Sequence, residues 1–225
     1  MTKHLTLLLF IGLAWGQSST IPERNEIISE RHPNGLKKLV LVFEGTGLNE
    51  ILVGKYGFYD NGIKDFIESY ENNRKNGKSI YWYKNGDMKQ EINYKDGLKN
   101  GLFTNWYENG QMQSRGVRTE YFESGLWTYW HETGHKKAEG FWGGKDERKG
   151  KWNFWNDQGQ LICSGIHSAW QGDGLWIFWD DDGTKIHERE YRGSELLDVW
   201  KNLRIEGYSD ESIEIYKELI FDLEP

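Results

Sequence analysis

A single cysteine among 225 residues excludes an internal disulfide, so Cys163 is read as an ordinary strand residue or as one half of an intermolecular bridge. Positive charge is also scarce. The 28 Lys and Arg face 35 Asp and Glu, a net charge of −7. That balance argues against a nucleic-acid backbone or an anionic lipid surface as the main partner. The Lys-rich segment 136–151 reads as a solvated loop, with a local basic patch as the alternative. Apolar runs are short. The one that stands out, LTLLLFIGL at 5–13, falls well below the roughly 20 residues that span a bilayer as a helix. It follows Lys3 and His4 and precedes Ala14-Trp15-Gly16, the pattern of a signal peptide over 1–16 cut before Gln17. The mature chain is expected to be exported, periplasmic or secreted, and without a transmembrane segment. Catalytic signatures are missing as well. There is no phosphate-cradling glycine loop, dinucleotide fingerprint or nucleophile elbow. No catalytic residue, metal or cofactor is expected, and no enzyme activity.

What the chain does have is rings and glycines: 12 Trp, 12 Tyr, 10 Phe and 27 Gly against only three Pro. They recur in register. GKSIYWYKNG (77–86), GLFTNWYENG (101–110), GLWTYWHETG (125–134), GKWNFWNDQG (150–159) and GLWIFWDDDG (174–183) end on glycines 24, 24, 25 and 24 residues apart. A copy one residue shorter, GKYGFYDNG, occupies 54–62, and HPNGLKKLVLVFEG (32–45) is a degenerate first unit. Each unit reads as an aromatic strand, a turn ending in Gly and a second, more polar strand. Asn85-Gly86 and Asn109-Gly110 are hairpin turns, because such turns need positive φ. The prediction is an all-β, elongated array of antiparallel hairpins, about six units over 54–193. The stretch 17–33 reads as polar and loosely ordered, and Leu36–Phe43 as a strand. Over 194–225, Leu196, Leu197, Trp200 and Leu203, then Ile213, Tyr216, Ile220 and Phe221, fall at helical spacing, with Ser209 as an N-cap. A short helical cap on the last repeat is expected, or a free partner-binding helix.

The repeat decides how HETGH (131–135) is read. Two histidines around a Glu resemble a zinc-protease helix, but the segment occupies the hairpin turn, where no helix can align the imidazoles. Asp180-Asp181-Asp182-Gly183 is likewise an acidic turn and not a calcium loop, since the ligand spacing and distant Glu are lacking.

Four residues before each closing Gly stand Trp82, Trp106, Trp130, Trp155 and Trp179. Five and seven before stand rings such as Tyr129 and Trp127. Alternation places these sets on opposite faces. Small repeats need most of their rings buried against neighbours, so the Trp row reads first as structural. Its constant pitch also makes it a candidate ligand or partner surface for a peptide or glycan. Gly116, Gly140 and Gly165, six after their turns, read as places where a ring packs on backbone.

The repeated G-x-W-x-x-W-x-x-x-G units, joined by turns such as Tyr94-Lys95-Asp96-Gly97 and Lys99-Asn100-Gly101, resemble the variant MORN repeat family, labelled antitoxin-like in bacteria. The resemblance covers about 54–193. It implies a stack of hairpins without catalytic residues and a role in protein or membrane-surface association. The expected function is a non-enzymatic scaffold for protein or envelope-surface interactions outside the cytosol. A glycan- or wall-binding module using the aromatic ladder is the alternative.

Overall fold

The structure is a computed structural model, and it describes residues 23–145, 147–167 and 174–191. The signal-peptide reading (1–16) and the helical cap (194–225) lie outside the described residues. Fifteen strands follow in chain order: β1 (Arg24–Arg31), β2 (Lys37–Glu44), β3 (Ile51–Phe58), β4 (Lys64–Glu71), β5 (Arg74–Lys75), β6 (Gly77–Trp82), β7 (Met88–Lys95), β8 (Leu98–Trp106), β9 (Met112–Glu120), β10 (Phe122–Trp130), β11 (Lys136–Gly143), β12 (Arg148–Trp155), β13 (Leu161–His167), β14 (Gly174–Trp179) and β15 (Lys185–Tyr191). They form one antiparallel meander in which sequence neighbours are sheet neighbours, with the short β5 paired to β4 off the main path. The expected hairpin array is therefore present, and it is a single continuous sheet.

Two expectations are corrected. The stretch 17–33 contains β1, a strand of eight residues paired with β2. Its apolar residues Ile27 and Ile28 are adjacent, not alternating, and no ring marks it, so periodicity does not reveal it. It makes the degenerate first unit a complete hairpin around the turn at His32–Gly35. The Lys-rich segment 136–151 is not a loop either. It holds β11 and the start of β12, with the lysines on the solvent side of the pleat.

The turns show why the period is fixed. In the 131–135 turn, Gly134 N–H donates to His131 O at 2.9 Å and His131 N–H to His135 O at 2.9 Å. The same pair of bonds recurs at Tyr83/Asp87, Tyr107/Gln111, Asn156/Gln160 and Asp180/Thr184. The closing glycines carry the positive φ (90° at Gly134) and the residues before them do not. This is a type I turn with a glycine bulge, and the register slips by one residue at each Trp that precedes it. The Asn of Asn-Gly is thus not selected for its own φ.

The core lies on the face that carries Trp127, Trp152 and Trp176. From Phe103 the rings run on through Trp127, Tyr129, Trp152, Phe154 and Trp176 to Phe178, with successive centroids 5.7–6.4 Å apart. Each large indole lies flat on a glycine of the neighbouring strand, as the spacing predicts. A Cβ on Gly116, Gly140 or Gly165 would sit 2.0–2.2 Å from atoms of Trp127, Trp152 or Trp176. Gly140→Ala must push Trp152 off its seat between Tyr129 and Phe154. It is expected to cost about 3 kcal/mol, read as a lower urea midpoint at unchanged slope.

Candidate functional site

Three surfaces could carry function: the turn edge, the ring-bearing inner face and the opposite, outer face. The turn edge is a hydrogen-bond ladder. Asn34, Asn61, Asn85 and Asn109 each donate through Nδ2 to a backbone carbonyl of the next turn, those of Asp60, Lys84, Glu108 and Glu132, and Thr133 Oγ1 donates to Asp157 O. A second rung runs beside it. Tyr59, Tyr83 and Tyr107 donate through their hydroxyls, each at 2.8 Å, to the carbonyls of Trp82, Trp106 and Trp130. Burial, with nearby carboxylates such as Asp65 at Tyr59 and Glu132 at Tyr107, raises these phenols, to about 12 for Tyr59, so they stay protonated donors.

HETGH belongs to this ladder. His131 Nε2 meets Trp155 O at 2.8 Å, the place of the tyrosines, and His135 Nδ1 meets Asp157 O at 2.8 Å. Each imidazole donates to a carbonyl, so each has a structural job that ties two hairpins together. Among the described residues no group of three or more His, Cys, Asp or Glu is placed to hold a metal ion. His131→Tyr restores the residue type of the sister turns and is expected to leave stability within about 0.5 kcal/mol, checked by thermal melts.

The inner face interleaves its rings with long cations. Lys75 lies over Tyr81 and Tyr94, Lys99 and Arg118 over Phe103, Arg148 over Trp142 and Trp152. Their stems cover the ring faces, a use of amphipathic side chains that suits a single-layer sheet. Two pairs are buried here: Arg118 with Glu123, and Glu68 with Lys75, Tyr70 and Tyr81. Burial pushes the Glu68 carboxyl up, but hydrogen bonds from Lys75 and the two tyrosines outweigh it and hold the group below its ordinary range. Lys99 is lowered by burial and by the nearby Arg118. These pairs tie neighbouring strands of the face together. The Cys163 thiol is buried between Phe154 and Phe178, and burial holds it well above its ordinary value.

The outer face is the open one. Trp82, Trp106, Trp130, Trp155 and Trp179 all lie on it, each half-buried near the turn edge. Lys64 stands over Trp82 and Lys136 over Trp155 at 5.9 and 5.6 Å. The backbone carbonyls of Trp82, Trp106, Trp130 and Trp155 serve the ladder, so the main chain at these positions is structural while the ring edge remains accessible. Sequence reasoning missed a second row. Leu102, Val117, Leu126, Phe141, Ile166 and Leu175 are 36–53% exposed. They are cross-strand neighbours: Leu102 faces Val117 and Leu126 faces Phe141. The row is apolar from β8 to β11 and again on β13 and β14, parallel to the Trp row; on β12 between them Lys149 faces Phe141 and Lys151 faces Ile166, and at about 4.8 Å per strand the whole spans roughly 30 Å. The sign was there in the sequence as an apolar residue after the opening Gly of several units, but alternation alone does not say which face is filled.

Comparison with known proteins bears on the middle of this array. Residues 75–96 and 99–116 match the family model described as the MORN repeat variant. These two matched units are β6–β7 and most of β8–β9, and the flanking hairpins repeat their turn bonds and bulges. The matched description carries no antitoxin term. No curated protein matches the chain. Among solved structures, a protein of unknown function from Bacteroides fragilis NCTC 9343 is similar over 78% of this chain and 96% of its own, at 9% identity and a TM-score of 0.17. No helix among the described residues is long and apolar enough to cross a membrane.

Proposed function

We propose that the chain is a non-enzymatic repeat scaffold that holds a protein partner along its outer face. The observation that carries this reading is the exposed apolar row from Leu102 to Leu175, crossed only at β12 by Lys149 and Lys151. A stripe of that length is larger than scattered exposed residues and is of the kind that marks association surfaces. The match to MORN-variant repeats supports a scaffold. The signal-peptide pattern at 1–16 supports export, so the partner would be met outside the cytosol, at the envelope or beyond it.

A photo-cross-linking residue at Leu175 in the producing cell tests the reading. Adducts with one protein are expected, and Leu126→Lys with Phe141→Lys should abolish them while the circular dichroism spectrum is unchanged. Adducts that survive the double change would refute the outer face as the site. The second reading, glycan binding, is favoured by the half-exposed Trp row. It predicts that oligosaccharide titration moves the indole signals of Trp106, Trp130 and Trp155, and no shift would remove it. Fractionation, with an N-terminus found at Gln17, tests export.

A further inference from the structure

Charge is unevenly placed on this chain. The whole carries a net −7, yet the outer face of β8–β14 is basic. Register puts one strand acid, Glu139, and the cations Arg115, Lys136, Lys149 and Lys151 on that face. Glu139 is already taken: Lys136 meets it at 2.7 Å, and Thr128 Oγ1 donates to it at 3.1 Å. Arg115, Lys149 and Lys151 are exposed and have no ion pair among the described residues. The inner-face cations differ, since Arg118 reaches Glu123 and Lys75 reaches Glu68.

The repeat shows where the row departs from its own pattern. The residue after the opening glycine is Leu102, Leu126 and Leu175 in three units, and Lys151 in a fourth. Lys78 holds the same place in an earlier unit, but there Glu91 on β7 pairs with it at 2.8 Å. Lys149 is also seated. Its stem lies across Gly143, where a Cβ would sit 2.6 Å from Lys149 Cδ, beside its cross-strand neighbour Phe141. Two free ammonium groups thus stand inside an apolar stripe. A partner that covers the stripe takes them out of water, and an unpaired charge under apolar cover is strongly unfavourable. A purely apolar segment is rejected, and one with carboxylates in register is admitted. Resting on the reading of the outer face as a protein-binding surface, we propose that the partner segment is acidic as well as apolar. Its apolar side chains lie on Leu126 and Phe141 to one side of β12 and on Ile166 and Leu175 to the other. Its carboxylates meet Lys149 and Lys151, with another about 14 Å away, three strands along, at Arg115.

Lys151→Leu restores the residue of the sister units, and with Lys149→Gln it removes both charges while lengthening the apolar row. In this double variant, shown folded by circular dichroism, the Leu175 adducts are expected to fall by about tenfold or more. Apolar contact alone would keep or increase them. Adducts that persist overturn the inference and leave the outer-face reading standing. The purified full-length chain supplies a measurement that needs no cellular partner. A short fluorescent peptide of alternating Leu and Glu is expected to bind about tenfold more tightly than its counterpart with Gln for Glu, and to lose that advantage in the double variant. Equal binding of the two peptides overturns the inference. So does flotation with phosphatidylglycerol vesicles that the double variant loses while the peptides show no preference, which would assign the cations to a membrane surface. A parent chain that gives no adducts refutes the outer-face reading in the cell, and the peptides then decide the charge preference alone.

Discussion

Trp152→Ala is expected to lower the unfolding free energy by about 3–5 kcal/mol, enough to unfold a marginal domain at ambient temperature. The indole is fully buried and touches the core from every side. It stacks on Tyr129 and Phe154, meets Trp142 edge-on at 5.5 Å, and donates its N–H to Phe141 O at 3.2 Å. Removing it opens a cavity on Gly140 that neighbouring rings, held by their own stacks, cannot fill. Three residues away, Trp155→Ala takes a half-buried ring from the outer face and is expected to cost about 1 kcal/mol or less. Urea titrations of the two variants measure the difference. Equal costs would mean that the faces are assigned the wrong way round.

Stability should also fall as the solution is acidified below about pH 6.5, because of His167. This imidazole is buried between Trp152 and Trp176, with ring centroids at 6.3 and 5.0 Å, and its Nε2 has no partner among the described residues. Burial lowers its pKa from the ordinary 6.5 to about 3, helped by the charge of Arg148. The folded state therefore keeps the ring neutral where the unfolded chain takes up a proton. The sign is fixed by that difference: the contribution is complete above about pH 6.5 and is lost as pH falls toward about 3. Within this window the slope is about 1.4 kcal/mol per pH unit, on the order of 5 kcal/mol in all. Glu68, held below its ordinary range, adds a loss only at the acid end. His167→Phe keeps a ring against Trp176 and cannot titrate, so its denaturation midpoint should be flat between pH 6.5 and about 4.5. A parent protein equally flat in that range would show that the ring is solvated.

Much of the fold is legible because the repeat averages over local ambiguity. One aromatic run could be a strand or a short buried helix. Five copies ending on a glycine at the same spacing leave only the hairpin, and Gly140 under Trp152 follows from counting six past the turn. The candidate site was legible in part. The positions of Trp82, Trp106, Trp130, Trp155 and Trp179 on one face follow from alternation. Their half-buried state does not, because it depends on the bulge at each turn and on lysines such as Lys136 from the facing strand. The row from Leu102 to Leu175 went unnoticed for the same reason, since both faces of the first strands carry apolar residues. β1 was missed because a strand at the end of a sheet needs no alternation to pair through its backbone.

By itself the sequence determined the all-β class, the hairpin unit and the place of the turns that end on the closing glycines, since these rest on positive φ at glycine and on period-two alternation, both local to a few residues. The tertiary structure decided which face is core and which is open. It also showed that Asn-Gly serves the ladder through the Asn side chain, and that His131 and His135 are rungs in place of ligands. Those facts depend on what lies 22 to 26 residues away in the next hairpin, and only the assembled sheet brings such residues within hydrogen-bonding distance.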